Sequence, residues 1–201
     1  MSTEKQNKRF YKKLYGVAYC GKGIYKPSFE NRPTKCYSVW KSMVDRCYSE
    51  KSQKSRPTYV GCSVCEDWLN FQNFGKWFDE NWKEFMGKNW HLDKDILVKG
   101  NKVYSPETCA FVPNQINVLF RTEFYSSDSF KCGIRLTAGG KFNVRFSNTH
   151  IGNYVNYSDA ILAYKKARKE RVLFLAEKWK DKINPLVCEA MLNYKIEIYD
   201  I

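Results

Sequence analysis

The stretch from Cys65 to Phe85, CEDWLNFQNFGKWFDENWKEF, sets Trp68, Phe71, Phe74, Trp77 and Phe78 at helical spacing. Residues three or four apart return to one side of an α-helix, so these five rings form a single apolar stripe. Each ring gains roughly 1.5–3 kcal/mol on leaving water, so a fold that left the stripe exposed would forfeit much of its driving force. The stripe is therefore expected in a core rather than as a platform for stacked bases, on a helix ending near Gly87. A second stripe, in YSVWKSMVDRCY (37–48), spaces Val39, Trp40, Met43, Val44 and Cys47 in the same manner. With 201 residues, 43% hydrophobic and 16% aromatic, the chain has material for the cores of one or two small domains.

Charge is distributed unevenly. The net charge is +13. Residues 1–60 hold 14 Lys/Arg against 4 Asp/Glu, residues 61–120 hold 6 against 8, and residues 121–201 hold 14 against 9. Two basic flanks thus enclose a slightly acidic middle. Basic surface attracts a polyanion through counterion release, and acidic groups are kept where a cation must sit. A nucleic acid, double-stranded DNA in particular, is the expected partner. No apolar run approaches the ~18 residues of a membrane span, and the polar N-terminus MSTEKQNKRF is not a secretory signal. The expectation is a soluble, cytoplasmic protein.

The acidic middle contains WHLDKDILVKGNKVYSPETCAFVPNQIN. A short strand here would carry His91, Asp93 and Asp95 at alternate positions and so on one face. A turn on Gly100 and Asn101 follows. Ser105-Pro106-Glu107 then reads as the opening of a helix that reaches Asn114 and Asn117. Two carboxylates and an amide oxygen are hard ligands suited to Mg²⁺ or Mn²⁺, which points to metal-assisted phosphodiester chemistry.

The expected organisation has a basic arm and ribbon over 1–36, with mobile residues 1–15 at its start, and a compact domain over 37–121. Residues 49–58 read as a polar loop, and 122–130 as a linker. A second domain follows over 131–201, with strands at 132–137, 141–146 and 150–154. Gly139-Gly140 forms the first hairpin turn. Ser158 caps a long helix to about Lys178, a second helix runs from about Pro185 to Leu192, and 194–199 is strand-like.

The segment GIRLTAGGKFNVRFSNTHIGNYVNYSDAILAYKKAR resembles the APETALA/ethylene-response-factor DNA-binding domain, in its three strands and in the helix beginning Asp159-Ala160 with Ala163-Tyr164. The resemblance implies that the sheet enters the major groove, with Arg135, Lys141, Asn143 and Arg145 as readers and Lys131 nearby. Asn143 and Arg145 share a strand face opposite Phe142, Val144 and Phe146. Arg suits guanine and Asn suits adenine.

YSVWKSMVDRCYS, the turn at Cys65–Trp68, LDKDI and YSPETCAFVPNQIN are together similar to HNH-type (His-Me finger) nucleases of bacteriophages and mobile elements. The implied fold is α+β: a degenerate ββα-metal finger with aromatic helices, followed by a three-stranded sheet plus helix. The implied function is a metal-dependent, homing-type endonuclease, with Asp93 and Asn117 as metal ligands. Where the family carries a general-base histidine this chain has Lys94. Lysine at its ordinary pKa of about 10.4 is protonated, and suits phosphate binding or charge stabilisation instead. His91, on the face of Asp93, is either a substitute base or a buried structural histidine; a metal-bound water needing no base is the other option, and His91 and Asp95 are of second rank. The alternative is a finger without chemistry in a DNA-binding regulator or inhibitor of a host enzyme. Cys62-Ser-Val-Cys65, with Cys47 and Cys109, makes either a Cys₄ zinc site or a set of buried free thiols.

Overall fold

The computed structural model describes residues 11–87, 89–120 and 133–196. They form a mixed α+β protein of two compact units, residues 1–113 and 114–201. The start of the basic arm (1–10), the expected linker 122–130, Lys131 and the end of the tail (197–201) lie outside the described residues.

In the first unit a two-residue hairpin, β1 (Ser28–Phe29) with β2 (Arg32–Pro33), precedes helix α1 (Lys35–Tyr48). Thr34 caps α1 by accepting the Tyr37 N–H at 3.2 Å. Trp40, Met43, Val44 and Cys47 are buried as the stripe requires, while Val39 is half-buried. The expected loop at 49–58 instead contains helix α2 (Glu50–Ser55) and a 3₁₀ turn, Pro57–Tyr59. Ser49 supplies the reason, since its hydroxyl accepts from Ser52 N–H and Glu50 sits in the first turn.

The aromatic segment is not one long helix. A 3₁₀ turn (Asp67–Leu69) leads to Asn70, whose side chain caps helix α3 (Phe71–Asn81) through the Gln72 N–H. The stripe is core nonetheless. Trp68, Phe71, Phe74, Trp77 and Phe78 are all buried, and Trp68 lies 4.7 Å from Trp77 and 5.1 Å from Phe74 between ring centroids. Trp40 Nε1 donates to the Trp68 carbonyl at 2.7 Å, satisfying the one polar atom that the indole brings inside. The N-terminal ribbon is clamped on α3 by Gln72, which bonds the Cys20 and Tyr25 carbonyls and the Tyr25 N–H, each at 3.0 Å. Gly75 is required below it, because a Cβ there would strike the Tyr25 ring.

Strand β3 (Ser63–Val64) pairs in parallel with β5 (Val103–Tyr104), and β4 (Trp90–Asp93) pairs antiparallel with β6 (Ala110–Pro113). The second pairing corrects one expectation. Ser105-Pro106-Glu107 opens a tight turn, with Cys109 N–H on the Ser105 carbonyl at 3.0 Å, and the chain then returns as β6. Ala110-Phe111-Val112-Pro113 is wholly buried, and its apolar side chains gain more as a strand beside β4 than on a solvated helix.

The second unit opens with helix α4 (Asn114–Phe120). Strands β7 (Ile134–Leu136), β8 (Phe142–Phe146) and β9 (Thr149–Tyr154) form an antiparallel sheet in the order β7-β8-β9. The turn at Gly139-Gly140 is closed by Thr137 and Lys141, as their sequence suggests. Helix α5 (Tyr157–Trp179) packs on one face of the sheet, and Ile134, Val144, Ala160 and Tyr164 are the buried cluster between them. Asn156, rather than Ser158, holds the N-cap position; Ser158 lies inside the first turn. Gly133, at φ +75°, lets β7 begin directly against the Arg145 carbonyl. Helix α6 (Pro185–Leu192) folds back on α5, burying Val187 and Met191. No strand is assigned at 194–196.

Candidate nucleic-acid interface and finger site

In the first unit, β4 alternates as a half-buried strand must: Trp90 and Leu92 point inward, while His91 is exposed and Asp93 half-buried on the other face. Asp95 does not join them. The strand ends at Asp93, and the chain turns because the Asp93 carboxylate Oδ1 accepts the N–H groups of both Asp95 and Ile96 at 2.8 Å. Burial pushes the Asp93 carboxyl above the usual carboxylate range, and these two N–H bonds offset only part of that rise.

Lys94 is turned inward and buried. Its ammonium bonds the Asp95 carboxylate and the Asn101 carbonyl, the latter at 2.6 Å, and lies 5.9 Å from the centre of the Tyr104 ring. Asn101 completes the brace, its Nδ2 donating to the carbonyls of Lys94 and Val103. Lys94 therefore ties the two ends of the 94–103 loop together. Its position offers no free amine to a substrate.

Two cations that the sequence did not single out lie near His91. Partial desolvation of the imidazole lowers its pKa first, and the charges of Lys35 and Arg46 lower it further, which favours the neutral ring. Arg46 is itself fixed: its guanidinium lies 5.4 Å from the ring centres of both Tyr59 and Tyr104, and Nε donates to Tyr104 Oη at 3.2 Å. Arg46 falls in the last turn of α1, a position that reads as helix-dipole compensation in sequence.

Among the described residues no group of three or more His, Cys, Asp or Glu side chains is placed to hold a metal ion. Asp93 and Asn117 belong to different units, with Asn117 half-buried on α4. Cys47, Cys62, Cys65 and Cys109 are free thiols, three of them buried and Cys65 half-buried. Burial pushes Cys47 and Cys109 up to about 12, which keeps both protonated. Among the described residues the four thiols are not gathered into a metal-binding group.

In the second unit the sheet face opposite α5 is polar. The register places Arg135, Asn143 and Asn153 side by side across β7, β8 and β9, and pairs Arg145 with His150. Arg135, Lys141, Arg145, His150 and Asn153 are exposed and Asn143 is half-buried. Arg145 Nη2 is steadied by the Asn148 carbonyl at 2.9 Å, in a turn where Ser147 and Asn148 both have positive φ. A bulge between Val144 and Arg145 breaks the regular pairing there. His150 and Asn153 extend the surface beyond the four residues visible in the sequence. No family model matches this chain, and no curated protein or solved structure matches it either. Among the described residues no helix is long and apolar enough to cross a membrane.

Proposed function

We propose that this protein binds double-stranded DNA through the exposed face of the β7-β8-β9 sheet, and that the finger unit acts as a rigid scaffold in a DNA-binding regulator or inhibitor. The observation that carries this reading is the sheet face itself. Arg135, Asn143, Arg145, His150 and Asn153 on the strands, with Lys141 at the turn before β8, form one polar, basic surface on a sheet that has a helix packed behind it. Guanidinium groups and amides at outward strand positions are the groups that read base edges and phosphates. The chain's charge of +13 supports the same partner. Replacing Arg145 with Ala removes an exposed guanidinium without touching the core. It should lower affinity for duplex DNA about tenfold and reduce the salt dependence of binding, read by fluorescence anisotropy across a salt series. Unchanged affinity and slope would remove the sheet from the interface.

A second reading, a metal-dependent DNA endonuclease, draws on one observation: a neutral, exposed His91 on the strand face of Asp93 with Lys35 and Arg46 nearby. Incubation of supercoiled plasmid with Mg²⁺ or Mn²⁺, with and without chelator, separates the two. Metal-dependent nicking lost in His91→Ala would favour the nuclease. Binding without nicking in either protein would favour the scaffold.

A further inference from the structure

On the polar sheet face, Asn143 and Asn153 are direct cross-strand partners, and Asn143 Nδ2 donates to Asn153 Oδ1 at 2.9 Å. Their strand neighbours Val144 and Tyr154 face the core, so both amides stand on the outer side. An isolated exposed asparagine turns freely and offers either end to a ligand. A clasped pair cannot. Each carboxamide has an accepting oxygen with two lone pairs and an NH₂ with two donors, and the clasp engages the Asn143 NH₂ through one of its N–H groups and the Asn153 oxygen through one lone pair. The ends that the clasp does not engage are the Asn143 oxygen and the Asn153 NH₂, one acceptor and one donor. Turning both amides end for end exchanges the strands that supply them and leaves the same pattern.

The four bases present different patterns in the major groove. Adenine shows a donor (N6) beside an acceptor (N7), guanine shows two acceptors, and thymine an acceptor with a methyl group. An acceptor offered together with a donor complements adenine. Against guanine it would set the amide oxygen toward O6, leaving two acceptors facing each other. Arg135 stands on the same rung as the pair, and Arg145 two residues along β8. Guanidinium groups offer donors alone and so match guanine.

Building on the DNA-binding reading above, we propose that the Asn143–Asn153 couple is a base-reading unit selective for the adenine of an A·T pair, within a site where Arg135 and Arg145 select guanine. The couple always presents one donor with one acceptor, whereas an asparagine free to rotate can offer its NH₂ alone.

The test uses the full chain and a randomised duplex pool. Bound duplexes are sequenced, and the preferred duplex is compared with one carrying G·C at the enriched A·T position. Wild type should prefer A·T by roughly ten- to a hundredfold. Asn153→Ala frees Asn143 to rotate, and the preference should fall below about threefold. Asn153→Asp keeps the clasp, because a carboxylate still accepts from Asn143 Nδ2, but replaces the unengaged donor with an acceptor. It should lose the adenine preference as completely, with the thermal melt unchanged. Loss in both variants supports the couple. A pool without A·T enrichment, or an A·T preference that survives both substitutions, overturns the inference while leaving DNA binding intact. A wild-type protein that binds no duplex in a salt-sensitive way instead overturns the DNA-binding reading itself.

Discussion

Asp93 is where structure and resemblance make opposite demands, and two substitutions separate them. Its Oδ1 accepts two N–H groups, from Asp95 and Ile96, each at 2.8 Å. Asp93→Ala removes both acceptors. Ile96 is only 9% exposed, so its amide is stranded away from water at about 1–3 kcal/mol; Asp95 is exposed, and its amide loses about 0.5–1.5 kcal/mol before water replaces the bond. The loss totals roughly 2–4 kcal/mol, a Tm lowered by on the order of 10 °C. Asp93→Asn keeps an oxygen in the same place and removes a carboxylate whose charge burial disfavours. It should match wild type or exceed it near pH 7. The linkage sign agrees. The folded pKa lies above the unfolded one, so the native state holds the extra proton, and stability declines as pH rises through the folded value. Asparagine should flatten that decline. Calorimetric melts of the three proteins between pH 4 and 8 provide the check. An asparagine variant as unstable as the alanine one would refute the turn-forming role, and would leave the negative charge as the property the site requires.

Two further outcomes follow from the same reasoning. The neutral form of His91 is favoured by partial desolvation and by Lys35 and Arg46, so its folded pKa lies below the unfolded value; stability should fall as pH drops from about 6.5, and His91→Gln should show a shallower fall in parallel melts. Identical profiles would mean that the imidazole does not feel those cations. Gly133→Ala sets a Cβ against the Arg145 carbonyl at a φ of +75°, and should destabilise the second unit by at least about 2 kcal/mol in urea unfolding; a variant within 0.5 kcal/mol, about the scatter of ordinary surface changes, would show that β7 can begin elsewhere.

What the sequence disclosed and what it withheld divide along the range of the interactions. The aromatic stripe was legible because its period is local: Trp68 to Phe78 are buried as spaced, although the Asn70 cap starts the helix later than periodicity alone implies. The β7-β8-β9 sheet was legible for a similar reason, with alternation along each strand and Gly139-Gly140 between two of them. Ser105-Pro106-Glu107 misled because a good helix-opening signal yielded to a pairing with β4, which no window around residue 105 contains. The surroundings of Lys94 were hidden on the same ground. Its partners, Asn101 and Tyr104, reach it only when the loop has closed, and the residue that the resemblance puts at the base position is held there as a buried brace. The Asn143–Asn153 couple extends the argument from fold to function. Both residues were visible as outward strand positions, but their clasp depends on register, and the bulge beside Val144 shifts the partners beyond it. A chemical pattern shared between two strands cannot be read from either strand alone. Reading specificity from sequence fails here at the point where the reader stops being a single residue.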